Sequence, residues 1–571
     1  MGVMLQGFYR RGTAGVPSPA DGDHTLPWWW DHLASQARAL REVGYTAVWL
    51  PPPLKGSSGT FSVGYDVFDD YDLGAKQQMG TVPTRYGTRE QLARCVATLR
   101  ACGLDAYVDL VPNQRAGGVN FRYRYKGADG GEGGRFPKDP LQFHPNVPQD
   151  PGVFGGPREA SFGDDLAIVN ARPPGYVSTN LIAAVAWLTR ALDVQGYRID
   201  DAKGVSSQFV PRLLEAEPMA GKFAVAEFFD GDVGYVEQWL SAVGRRSAVF
   251  DFSLRFTLAA MCNGPDGFDM RSLERAGLAG VDPMHSVTFV EDQDTDASPA
   301  LSPIVTNKML AYAYVLTSEG YPCVYYKDYS TDRGCYGLKP FIDNLVWIHE
   351  KLAAGPTVQR WKDPGLFCFE RLGGPHLLVG INKDGWQSRV VTVDTGFGAN
   401  VHLHDYSGHA PDVWTNGEGQ ATITVPRNVG GLAYACYSVN GVGFGFPIQE
   451  RAVTQELEGA ADLDIGPVGM ERPTVLGRIW VEQGKRISAT LRELDHAGFS
   501  PTSRVDLVVE DPEGAQLVTG AFSRPGGPPV QAVARKRGWH RLTLQARDTP
   551  PLRPERSFTL AVTYTAPQGG P

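Results

Sequence analysis

The sequence predicts an α/β protein: a (β/α)8 TIM barrel with an inserted domain B, followed by two all-β domains. Three observations predict it. From residue 3 to residue 353, short β-rich runs alternate with amphipathic helical stretches. Eight such units in a row imply a parallel sheet, and eight is the number that closes a barrel. Between the third strand and its helix lie almost seventy residues rich in Gly, Pro and Asp, the size of a functional insertion. After residue 353 only short strands and turns remain.

The strands come in order as VMLQGFY (3–9), TAVWLPP (46–52), DAYVDLV (105–111), GYRID (196–200), FAVAEFF (223–229), SAVFDFS (247–253), SVTFVED (286–292) and YPCVYY (321–326). Their β-branched and aromatic content suits strands covered on both faces. Helical periodicity marks 28–44, 88–103, 180–194 and 307–320 between them. The expected domains are the barrel at 1–113 and 173–353, domain B at 114–172 and an antiparallel domain at 354–442. NGVGFGFP (440–447) reads as a linker, and a β-sandwich follows at 447–566.

Bulk composition narrows the function. A chain of 571 residues calls for two to four domains, and 42% hydrophobic with 20% charged residues is ordinary for a well-cored protein. The net charge of −9 gives no reason to expect a nucleic acid or an anionic membrane as partner. The basic-aromatic stretch NFRYRYKG (120–127) alternates strictly and reads as a strand with one solvated face. No apolar run is long enough to span a bilayer, and no signal peptide is visible, so a cytoplasmic or a processed secreted form is expected. A monomer is expected. Seven scattered cysteines, with no CxxC pair, read as buried free thiols. No GxxxxGK[ST] loop and no GxGxxG between strand and helix appears, so no organic cofactor is expected.

Acids end three of the barrel strands: Asp200 in RIDDAK, Glu227 in AVAEFFD and Asp294 in VEDQD. Strand alternation puts Arg198 on the face of Asp200, where a guanidinium keeps a carboxylate ionised, as a nucleophile needs. Glu227 leaves an apolar strand, where desolvation favours the protonated form of a general acid. One ionised and one protonated carboxyl across a cleft is the arrangement of retaining glycoside hydrolysis.

The ordered motifs make this specific. GYDVFDDYDLG (64–74), GTVPTRYGTREQL (80–92), DLVPN (109–113), GYRIDDAK (196–203), AEFFD (226–230) and FVEDQDT (289–295) resemble, in order and position, the α-amylase family of retaining (β/α)8 glycosidases, over roughly residues 1–440. The resemblance implies Asp200 as nucleophile, Glu227 as acid/base and Asp294 as the third carboxylate, gripping sugar hydroxyls. It implies that Arg198 orients Asp200, Asp109 partners Arg198 and Tyr65 stacks under the sugar. Gln114, Lys203 and Gln293 join the substrate-binding set. A structural calcium is implied at Asn113, with Asp164, Asp165 and the Gly204 carbonyl as further ligands. The last module reads either as a structural appendage or as a starch-binding one, with Trp480 and Trp539 the candidate aromatics.

Three histidines usual in the family are replaced: Gln114, Gly204 and Gln293 stand in their places. Glutamine can keep a donated hydrogen bond but cannot become cationic. The site is therefore expected to keep its contacts and to lose a positive charge beside Asp294. Glu291 and Asp292 are expected to orient that edge, their repulsion eased by open solvent and by Arg198. The implied activity is hydrolysis of α-1,4-glucosidic bonds in starch, glycogen or maltooligosaccharides. Transglycosylation through the same covalent intermediate is the alternative, and an inactive glucan-binding barrel a further one.

Overall fold

The computed structural model describes residues 2–10, 15–127, 131–155, 163–460, 474–494, 504–522, 524–547 and 557–569. Eight parallel strands close a barrel: β1 (Met4–Gln6), β2 (Ala47–Leu50), β3 (Asp105–Leu110), β4 (Gly196–Ile199), β5 (Phe223–Ala226), β6 (Ala248–Phe250), β7 (Ser286–Phe289) and β8 (Tyr321–Tyr325). β1 completes the ring by pairing on both sides, Met4 with Cys323 and with Ala47. The strands are buried almost throughout, which accounts for their continuous apolar runs.

Helices follow the strands as expected, among them α1 (Trp29–Val43), α2 (Arg89–Ala101), α3 (Tyr176–Leu192), α4 (Phe209–Glu215), α5 (Val233–Ala242), α6 (Phe252–Asn263), α7 (Lys308–Val315) and α8 (Lys339–Leu352). Local chemistry sets their ends. Thr88 opens α2 with a capping box, taking the Gln91 amide on its hydroxyl while the Gln91 side chain accepts from the Thr88 amide.

Two expected strands are corrected. SAVFDFS is not one strand: β6 stops at Phe250, and Asp251 caps α6 by accepting the Leu254 amide. The Asp was a helix-start signal inside an apolar run. NFRYRYKG forms only isolated bridges, Tyr123 with Lys138 and Lys126 with Glu132. Left-handed backbone at Asn120 (φ 51°) and Phe121 (φ 61°) breaks the extended path. The alternation survives as burial, with Tyr123 and Tyr125 inside and Arg122 and Arg124 outside.

Past the barrel lies a six-stranded sheet, ordered Thr357–Lys362, Leu366–Arg371, Leu377–Asn382, Tyr434–Val439, His402–Asp405, Val413–Trp414, with a separate pair Arg389–Asp394 and Gln420–Val425. Phe367, Phe369, Leu377, Val379 and Ile381 are part of the same buried core as the barrel. The last module is two four-stranded antiparallel sheets around a second core, to which Ala97 and Ala101 of α2 contribute. All seven cysteines are free, six of them buried and Cys335 half-buried. Among the described residues no helix is long and apolar enough to cross a membrane.

Candidate active site

Arg198 organises the site. It lies one residue before the end of β4, in register with Asp109 of β3 and Val225 of β5. Its Nη1 donates to Asp109 Oδ1 at 2.8 Å and to Asp200 Oδ1 at 2.6 Å, and its Nη2 pairs with Glu227 Oε2 at 2.7 Å. Asp200 and Glu227 each stand one residue beyond a strand end, where the chain leaves the sheet and the carboxyl can turn toward the axis. The other Asp109 oxygen accepts from Tyr65 Oη at 2.9 Å and from Trp49 Nε1 at 3.1 Å. Glu227 Oε2 also accepts the Asp201 amide at 3.1 Å.

Charge is distributed unevenly over this cluster. Burial alone would lower the Arg198 pKa, but Asp109 and Glu227 raise it well above the ordinary guanidinium value. Burial pushes Asp109 up to about 7, against the pull of Arg198. Glu227 is raised well above the usual glutamate value by burial, opposed by Arg198 and reinforced by Asp200 and Asp294. One cation faces three carboxyls, and both Asp109 and Glu227 are shifted toward their protonated forms.

FVEDQDT lies at the end of β7, with Asp294 about a third exposed and the two acids before it covered. Glu291, Asp292 and Gln293 are all buried. Glu291 receives the Arg255 Nη2 on both oxygens, at 3.0 and 2.9 Å, together with the Ile304 amide. Asp292 Oδ1 accepts the amides of Asp294 (2.9 Å) and Thr295 (2.8 Å). Asp294 Oδ1 pairs with Arg10 at 2.8 Å, and its Oδ2 accepts from Gln293 Nε2 at 2.7 Å. The expectation of a solvated edge is therefore corrected for Glu291 and Asp292: each acid has its own donors, and Glu291 and Asp294 each have their own arginine.

No family model matches the chain. A glucan 1,4-α-maltohexaosidase from Bacillus sp. strain 707 is 29% identical over 484 residues, spanning 74% of this chain and 89% of that protein. An α-amylase from Bacillus licheniformis is 28% identical over 396 residues, 59% of this chain and 75% of that protein. Among solved structures, an α-amylase from Geobacillus thermoleovorans complexed with acarbose superposes with a TM-score of 0.53 at 16% identity, over 72% of this chain and 92% of that one. In sequence the chain is similar to α-amylases and related glucan hydrolases, and in fold to solved α-amylase structures.

The remaining expected residues are less uniformly placed. Gln114 Nε2 reaches Tyr65 O at 3.2 Å and Asp200 Oδ2 at 3.5 Å, while its Oε1 is buried without a partner. Lys203 is turned to Asp230, at 2.5 Å, and its backbone oxygen accepts the Phe154 and Gly155 amides of the insertion. The structure thus gives Lys203 the role of a tether between β4 and domain B.

For calcium, the donor set is thin. Asn113 Oδ1 is buried and unpartnered, and Gly204 packs on it so closely that a Cβ would lie 2.8 Å away. Asp164 and Asp165 pair as a two-residue strand with Gln114 and Arg115, and Asp164 Oδ2 accepts from Tyr123 Oη. Among the described residues no group of three His, Cys, Asp or Glu is placed to hold a metal ion. A calcium ion takes roughly six to eight oxygens, so these four residues alone do not build its cage, and no step below runs through it.

Four residues of the site carried no recognisable sequence signal: Gln6, Arg10, Trp49 and Arg255. All four are brought in by neighbouring elements. Only the position of Gln6 and Trp49 at strand ends, where barrel sites are built, could have flagged them. Trp480 and Trp539 lie elsewhere. They pack edge to face at 5.4 Å, with the Arg94 guanidinium of α2 5.7 and 5.4 Å from their rings, so Trp480 is buried against the barrel instead of forming an exposed platform.

Proposed function

We propose that the protein is a retaining glycoside hydrolase cleaving α-1,4-glucosidic bonds in starch, glycogen or maltooligosaccharides. The observation that carries this is the single Arg198 guanidinium shared by Asp200 and Glu227. Both carboxyls therefore lie on one guanidinium, which supports the close pair, ~5–5.5 Å apart, that retaining hydrolysis uses. Relatives that the chain matches over most of their length are named α-amylase and 1,4-α-maltohexaosidase.

Asp200, paired with Arg198, attacks the anomeric carbon as the glycosidic bond breaks. Glu227 gives its proton to the leaving oxygen, and a covalent glycosyl-aspartate forms. Glu227, now ionised, takes a proton from water, whose oxygen displaces Asp200 and releases the sugar with its configuration kept. Asp294 binds sugar hydroxyls beside the nucleophile, and these bonds strengthen as the ring flattens.

The test is incubation with maltoheptaose, following products and the anomer first released. Wild type should give shorter maltooligosaccharides of α configuration. Glu227→Gln should lose about 10²–10⁴-fold in kcat, and Asp200→Asn roughly 10⁴-fold or more. Initial release of the β anomer would rule out retention. Products longer than the substrate would assign transfer, and binding without any product would assign a glucan-binding barrel.

A further inference from the structure

Asp294 is held by a chain of contacts that begins on the first barrel strand. Gln6 ends β1, paired in register with Trp49 and Tyr325, and is fully buried. Its Nε2 donates to Gln293 Oε1 at 2.6 Å, and Gln293 Nε2 donates to Asp294 Oδ2 at 2.7 Å. Four residues beyond Gln6, Arg10 donates to the other oxygen of Asp294 at 2.8 Å. The Arg10 guanidinium lies 5.1 Å from the centre of the Tyr65 ring, and its side chain is only 25% exposed. The order of donors matters. By occupying the Gln293 carbonyl, Gln6 leaves only the NH2 end of that amide to face Asp294; the reverse orientation would set two oxygens against each other.

We propose that Arg10, with Gln6 acting through Gln293, is the positioning device for Asp294: a clamp from the first strand and the residues after it that supplies a permanent charge and a directed hydrogen bond. The inference rests on the proposed glucan hydrolysis and adds to it the residues that fix the third carboxylate. It also corrects the expectation from sequence, because the cation beside Asp294 is not lost. It comes from Arg10, after the first strand, and is insensitive to pH, since a guanidinium does not titrate where an imidazole does. The ionisable groups facing Arg10 are Asp294, Tyr65, Tyr86 and Asp200, and those facing Asp294 from elsewhere include Asp292 and Glu227. None of the groups around this clamp is a histidine.

The test is kcat and KM on maltoheptaose for wild type, Arg10→Gln, Arg10→Lys and the double variant Arg10→Gln/Gln293→His, from about pH 5 to about pH 8. Because Asp294 acts on hydroxyl contacts that tighten in the transition state, Arg10→Gln should lower kcat about 10–100-fold and leave KM within about threefold. Arg10→Lys should regain most of that loss. The double variant should recover activity relative to Arg10→Gln only below about pH 6.5, where the new imidazole is charged. Wild-type kinetics in Arg10→Gln would overturn the proposal, as would a double variant that recovers equally at all pH values or at none. If Arg10→Gln melts well below wild type, Arg10→Lys decides: near-wild-type kcat supports the clamp, and a loss equal to that of Arg10→Gln overturns it. Wild-type inactivity on maltoheptaose would instead remove the underlying hydrolase assignment, a distinct result.

Discussion

Glu227 is paired with a guanidinium and still sits above the usual carboxylate range, because its burial, with Asp200 and Asp294 nearby, outweighs Arg198. A raised folded pKa means that the native state binds more protons than the unfolded chain between the ordinary glutamate value and the folded one. Stability therefore falls as pH rises through that window. Thermal melts of wild type should lose stability across it, and Glu227→Gln should flatten this part of the profile; identical slopes would show that Glu227 does not titrate there. The same titration removes the general acid, so kcat on maltoheptaose should fall on the alkaline side at a pH above the ordinary carboxylate range. Asp200, Glu227 and Asp294 were legible in the sequence because each ends a β-rich run within an ordered set of motifs. What makes Glu227 differ from its neighbours is burial, and burial is created by elements far away in the chain.

At the scale of the element, the turn after β7 packs three acids into four positions, and each is answered by different donors. Glu291 and Arg255 are both fully buried. Burial pushes Glu291 up to about 7, opposed by Lys308 and Arg255. Removing one member of such a pair leaves a charge without compensation, which typically costs about 3–5 kcal/mol. Arg255→Met should approach that cost near neutral pH and show a smaller one in acid, where Glu291 is protonated and carries no charge. Denaturant unfolding at both pH values checks it; an equal loss at both would assign the cost to packing. The strand runs were legible from composition, whereas their ends were not. Asp251 and the left-handed Asn120 and Phe121 cut expected strands short, since a cap or a positive φ acts through one residue inside a pattern that otherwise continues.

Over the whole molecule, the last module is joined to the helical wall of the barrel. Arg478 pairs with Glu90 at 2.8 Å, and Gln455 Nε2 donates to the backbone oxygens of Ala93 (2.9 Å) and Leu192 (3.2 Å). Trp480 lies under Arg94 in that contact. Trp480→Ala should cost about 3–5 kcal/mol, as large aromatic deletions from cores do, while sedimentation with granular starch should be unchanged. Loss of starch binding with unaltered stability would restore the carbohydrate-binding role for this residue.

The sequence by itself determined the class of fold, the order of the barrel units, the insertion in the third unit, the strand-rich tail and the placement of three acids past strand ends, because periodicity and strand-end position are local properties written in consecutive residues. Tertiary structure decided which groups compensate those acids. Arg10 lies 284 positions from Asp294 and Arg255 lies 36 from Glu291. A parallel barrel brings strand ends together across such separations, and no local pattern encodes which side chain from one strand will meet a carboxylate from another. The same holds for Trp480, whose apolar face reads alike in sequence whether it is turned to a sugar or to a helix.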